Sequence, residues 1–296
     1  MNTTTRPLRA RTALPRALGT ALQWRLLLLW ILTTLACALV AGLPLWSWLG
    51  SQLDHSLQST AIANGQAPTM LLDALMAPGT TLDVLGANVR SAGLLLLLAS
   101  PLLTGATIAA ARSRSPLGFG DLLRGGISEY GPMLRLLLWS VIPLGIAAAI
   151  MAMGFGMNEK LHEHAVLASD VDTGRNIATG IGVLLLLLAH AGIEAGRGWL
   201  AADARLRSAL KAWWRGMALL CKRPLAVLGA YLLPTLCSLL AALLLLALRQ
   251  HLQGAGFAGF VLAMLLGCMI CAAIAWGKIA RLFAFRALAE DAHGRR

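Results

Sequence analysis

Residues 177–248 decide the fold. They hold an apolar run around Ile181-Gly-Val-Leu-Leu-Leu-Leu-Leu-Ala189, a basic amphipathic stretch from Arg205 to Arg223, and a second apolar run from Leu225 to Leu248. Each run reaches the roughly 20 residues that a helix needs to cross the hydrocarbon of a bilayer. They read as spans over 177–199 and 225–248. Between them, Leu206, Ala209, Leu210, Trp213, Met217, Leu220 and Cys221 share one face at helical spacing, and Arg207, Lys211, Arg215 and Lys222 share the other. An apolar face with Trp and Leu, backed by cations, fits a helix lying among lipid headgroups. It fits equally a helix docked on its own bundle. Pro224 suits the first turn of the following helix, where its missing N–H costs little.

The rest of the chain repeats the theme. It is 296 residues long, 58% hydrophobic and 13% charged, whereas a soluble domain carries about a quarter charged residues. Further spans are expected over 25–49, 92–111, 134–157 and 257–280. The expected fold is all-α: a polytopic membrane bundle of six transmembrane helices with cytoplasmic amphipathic helices, forming one integral membrane domain over 1–296. The run from Arg25 to Leu49 is too long for a signal peptide, and Leu35-Ala36-Cys37 lies inside it with Thr34 where a lipoprotein signal prefers Leu. Between the spans, 50–91 reads as an outside loop with a short helix at 71–76, and 119–127 as an inside surface helix. Residues 158–176 read as an outside loop, and a basic tail follows residue 280.

A net charge of +12 would raise nucleic-acid binding in a soluble protein. Here the cations sit between the spans, and no basic patch with stacking aromatics lies away from them. With both termini inside, Lys and Arg number 21 inside and 4 outside. That bias orients the chain with both termini cytoplasmic. The partners this implies are the bilayer and anionic headgroups at the cytoplasmic face, with no nucleic acid; a protein partner is not specified. Four of the five cysteines (Cys37, Cys237, Cys268, Cys271) lie in spans and Cys221 on the amphipathic stretch, so no disulfide framework is implied.

Three spans end alike: Ile108-Ala-Ala-Ala111-Arg112, Ile193-Glu-Ala-Gly196-Arg197 and Ile274-Ala-Trp-Gly277-Lys278. Pro132 with Pro143, and Pro224 with Pro234, mark the third and fifth spans similarly. These suggest three copies of a two-span unit preceded by a surface helix, although a small residue before a cation is ordinary at a cytoplasmic helix end. Together with Phe119-Gly-Asp-Leu-Leu123, Arg207-Ser-Ala-Leu-Lys-Ala-Trp-Trp-Arg215 and Arg223-Pro224, the layout resembles a broad group of six-span bacterial inner-membrane proteins. That group includes the membrane domains associated with glycerophosphodiester phosphodiesterases. The soluble phosphodiesterase domain has no counterpart in these residues. The resemblance therefore implies an integral membrane role and carries no chemistry over.

Few groups suggest a site. His190, Glu194 and Arg197 share one face of the fourth span, where ionisable residues are functional suspects; a plain Glu194–Arg197 pair near the interface explains them as well. His162-Glu-His164, with Asp170, Asp172, Met151, Met153 and Met157 nearby, offers metal-ligand types, but H-E-x-x-H is absent and a solvated loop is the simpler account. Cys268 and Cys271 lie too deep for a reactive C-x-x-C and read as packing residues. Gly192 and Gly196 form a G-x-x-x-G that admits a close helix. No nucleophile elbow, Walker loop or dinucleotide fingerprint occurs. No catalytic, cofactor-binding or metal residue is assigned, and no cofactor is expected. The expectation is a partner-binding or lipid-organising membrane component. A transporter of a small or lipid-like solute comes next, favoured weakly by Pro101, Pro143 and Pro234, and an intramembrane enzyme last.

Overall fold

A computed structural model describes residues 18–53, 69, 81–113, 115–163, 168–252 and 256–294. The principal helices are α1 (Trp24–Leu53), α2 (Thr81–Arg112), α3 (Phe119–Leu161), α4 (Ala168–Ala202), α5 (Ala209–Lys222), α6 (Pro224–His251) and α7 (Gly256–Gly294), and the described residues contain no strand. All but α5 are long and apolar enough to cross a membrane. The six apolar runs of the sequence thus become six helices in the expected places.

Helices α1, α2, α3, α4 and α7 pack in that order into a ring closed by α7 against α1; α6 flanks α7, and α5 lies against α4. The core gathers toward one end, where α5 sits. One cluster joins Leu26 and Trp30 of α1 to Leu103 and Ala106 of α2 and Ile279 of α7. A second joins Ile108, Met133, Leu136, Ile193, Leu200 and Leu282. A third sets Phe285 and Leu288 of α7 against Ala191, Ala195, Leu219 and Val227. Away from this end the helices present Leu, Ile and Val outward, as at Leu43, Leu94, Ile146, Leu184 and Leu244. A surface this apolar suits hydrocarbon rather than water.

Several boundaries differ from the sequence reading. The surface helix at 119–127 and the span from 134 are one continuous helix, α3. Pro132 lies inside it and is buried, so it removes one backbone bond without ending the helix. At Arg223 the backbone does leave the helix (φ −142°, ψ 61°), and Pro224 opens α6. α1 runs on to Leu53 and α2 already begins at Thr81, both inside the stretch read as loop. The gap read at 158–176 is largely helix as well, α3 reaching Leu161 and α4 starting at Ala168. The short helix expected at 71–76 lies outside the described residues.

The largest correction is the basic tail. α7 continues through Gly294, burying Leu282, Ala284, Phe285, Leu288 and Ala289. These residues repeat at i, i+2, i+3, i+6 and i+7, one face of a helix. Asp291 fixes its far end to the α5–α6 junction by accepting from Arg223 Nη1 at 2.6 Å.

The amphipathic stretch docks on the bundle, with a rotated face. Its buried residues are Leu206, Ala209, Ala212, Gly216, Leu219 and Leu220, while Leu210 and Trp214 are exposed and Trp213 is half-buried against Trp139. Small residues decide this. Gly216 sits over Gly192 and Gly196, so the G-x-x-x-G of α4 receives α5 at backbone contact. Leu and Trp, too large for that seam, are left facing out. Ser208 caps α5 by accepting from the Lys211 N–H. In the preceding turn, Asp203 accepts from the Arg205 N–H at 3.0 Å and pairs with Arg215 at 3.3 Å. Slight burial raises the Asp203 carboxyl, but those two partners outweigh it and hold the group below its ordinary range.

Candidate functional site

Gly198 of α4 packs so closely on Phe285 that a Cβ there would lie 2.6 Å from Phe285 Cβ. This approach sets the polar face of α4 opposite the cations of α7. Glu194, 3% exposed, accepts from Arg197 Nη1 at 2.6 Å and lies 3.4 Å from Arg281 Nη2. His190 Nε2 is 3.7 Å from the same Oε1, beyond hydrogen-bond range. The imidazole bonds elsewhere: its Nδ1 is 2.8 Å from the Tyr231 hydroxyl of α6. Arg281 lies 5.1 Å above the Tyr231 ring and donates to Thr235 Oγ1 at 3.1 Å. Thr235 in turn donates to the Tyr231 carbonyl. A chain of contacts thus runs His190–Tyr231–Arg281–Glu194–Arg197 across three helices.

Two features are unspent. Arg281 Nε is buried with no acceptor, and buried donors are normally paired. Lys278, a turn before Arg281, makes no hydrogen bond or ion pair among the described residues; its ammonium lies 5.2 Å from the centre of the Trp30 ring. Both line a half-enclosed cavity of about 320 Å³ among α1, α2, α4 and α7, with Glu194, Arg197 and Thr107. Three cations against one carboxylate leave that lining at +2 with the imidazole neutral. An excess of positive charge in a cleft raises the local concentration of anions. Glu194, tied to two arginines, serves to keep them in place.

Sequence reasoning found the α4 half of this site and missed the α7 half. Lys278 was read as a helix end and Arg281 as tail. The available signal was a pair of cations at i, i+3 flanked by Ile279, Ala280, Leu282 and Phe283, which keeps the helix apolar on both sides.

The other candidates come together less. His162 Nδ1 is 2.9 Å from Asn158 O of its own helix, and His164 lies outside the described residues. Among the described residues no group of three His, Cys, Asp or Glu is placed to hold a metal. Cys268 and Cys271 are free and half-buried beside a mostly apolar cavity between α1 and α7, which Arg249 of α6 also lines. No family model, curated protein or solved structure matches this chain. The likeness to phosphodiesterase-associated membrane domains therefore rests on the quoted residues alone.

Proposed function

We propose that the chain is a multi-pass protein of a bacterial inner membrane that binds anionic lipid at its cytoplasmic side and organises it there. The observation that carries this reading is the +2 cavity enclosed by apolar helices at the α5 end of the bundle. Lys278, exposed in that lining, and Arg197 and Arg281 beside Glu194 leave an excess of positive charge that an anionic headgroup would offset. Exposed Arg207, just before α5, and Lys211 and Lys222 of α5 add attraction at the same end, about 1 kcal/mol for each cation near an anionic leaflet.

Native mass spectrometry of protein extracted in a mild detergent tests the reading. Anionic phospholipid should be enriched on the protein over its share of the extract. Bound lipid in bulk proportion would refute it, and lipid carried across vesicles would move the protein to the transporters. Orientation is tested separately. Reporter fusions after residues 120, 210 and 290 should read cytoplasmic, and one after 252 periplasmic. A periplasmic signal at 210 would reverse the assignment.

A further inference from the structure

We infer that the cavity beneath Trp30 is a seat for the phosphomonoester head of an amphiphile, held by Lys278 and Arg281, with the amphiphile's tail running along α2. This rests on the anionic-lipid reading and narrows it to one headgroup chemistry and one position.

Three observations converge on it. The first is charge. The lining carries +2, and a phosphomonoester carries about −1.5 to −2 at neutral pH, whereas a phosphodiester or carboxylate carries about −1. The second is an unused donor. Lys278, exposed in the cavity wall, offers an ammonium with no acceptor among the described residues. It supplies a point charge, one of the modes by which proteins hold phosphoryl oxygens, and Arg281, held on Glu194 and Thr235, adds a second charge behind it.

The third is a polarity gradient. Thr107, Thr104, Ser100, Leu97 and Gly93 line the cavity from one face of α2, over about 21 Å of helix. Beside the cations the wall is hydroxylic. The hydroxyls of Ser100, Thr104 and Thr107 donate to carbonyls of α2 itself at 2.8 Å, and Thr107 Oγ1 also accepts from Trp30 Nε1 at 3.4 Å, so Ser100 and Thr104 are left with oxygen lone pairs to meet a ligand proton or the Lys278 ammonium. Further along, the wall is Leu97 and Gly93, both exposed on the apolar flank of the bundle. The opening therefore meets hydrocarbon. A volume of about 320 Å³ lies at the small end of ligand pockets. It houses a headgroup and leaves the chains outside.

The protein in phosphatidylcholine nanodiscs doped with phosphatidic acid (a monoester) or phosphatidylglycerol (a diester) tests this, with bound lipid counted by native mass spectrometry. The wild type should retain phosphatidic acid in preference. Lys278→Gln should weaken that retention about tenfold or more, the effect of losing a charged hydrogen bond, and Lys278→Arg should restore most of it. Gly93→Leu fills open space, since nothing lies within 4 Å of its Cβ position; it should block the lipid without disturbing the fold. Equal retention by wild type and Lys278→Gln overturns the seat. Displacement of phosphatidic acid by millimolar inorganic phosphate, with Gly93→Leu silent, makes the ligand a free oxyanion and overturns the tail assignment. A preference for phosphatidylglycerol that survives Lys278→Gln overturns this inference and leaves anionic-lipid binding standing. Loss of any anionic preference overturns both.

Discussion

Arg112→Ala is expected to leave little folded protein. Arg112 ends α2 and holds three helices together. Its Nη2 and Nε donate to the carbonyls of Leu200 and Ala201 at 2.5 and 3.2 Å, and its Nη1 pairs with Glu129 of α3 at 2.7 Å. The two carbonyls belong to the last turn of α4, which has no intrahelical donor left for them. Truncation strands a buried Glu129 and uncaps α4 together. Breaking a buried pair costs about 3–5 kcal/mol; the partial exposure of Arg112 places this case near the lower figure. That is a large part of the roughly 5–15 kcal/mol that holds a typical domain. Size-exclusion chromatography after stepwise heating in detergent measures it. Pairing Arg112→Met with Glu129→Met should recover part of the loss, because no charge is then left alone. A single variant melting with the wild type would show that the α2–α3–α4 junction is held by packing.

Gly216→Leu is expected to detach α5 from the bundle. A Cβ at residue 216 would lie 2.5 Å from Gly196 N and 3.0 Å from Gly196 Cα, and closer still to Gly192 O. These are backbone atoms in mid-helix and cannot rotate away. Overpacking of even one methyl costs about 1–3 kcal/mol, so Gly216→Ala should loosen the contact and Leu abolish it. A cysteine at Ala212, fully buried in the wild type, reports the outcome. It should resist maleimide in the parent and react readily beside Gly216→Leu. Equal protection in both would mean that α5 is held elsewhere, through Trp213 on Trp139 or Arg215 on Asp203.

The spans were legible because each is a long apolar run, and nothing except a membrane helix satisfies both its length and its lack of charge. The shared face of His190, Glu194 and Arg197 was legible from spacing alone, and so was the G-x-x-x-G of α4. What that motif receives was not, because hydropathy ranks Leu210 and Cys221 as inward residues while close backbone contact selects Ala212 and Gly216. Arg281 pairs with a carboxylate 87 residues away, and Arg112 caps a helix 88 residues on. Neither relation leaves a mark in local sequence. The end of α7 was misread for a different reason: its cations were counted for topology, while the apolar stripe of Leu282, Phe285, Leu288 and Ala289 went unweighed.

The reach of α7 also governs how the protein is made. A ribosome produces α7 after the six other helices have emerged. Until it arrives, Arg197 is the one arginine beside Glu194, and all three core clusters are incomplete, lacking Ile279, Leu282, Phe285 and Leu288. At roughly 5–20 residues per second, synthesis of its 39 residues takes about 2–8 s. For that interval the first five spans and α5 form an open assembly in which Glu194 pairs with Arg197 alone of its two arginines. α7 then closes the ring against α1 and α4 and brings Arg281 to Glu194.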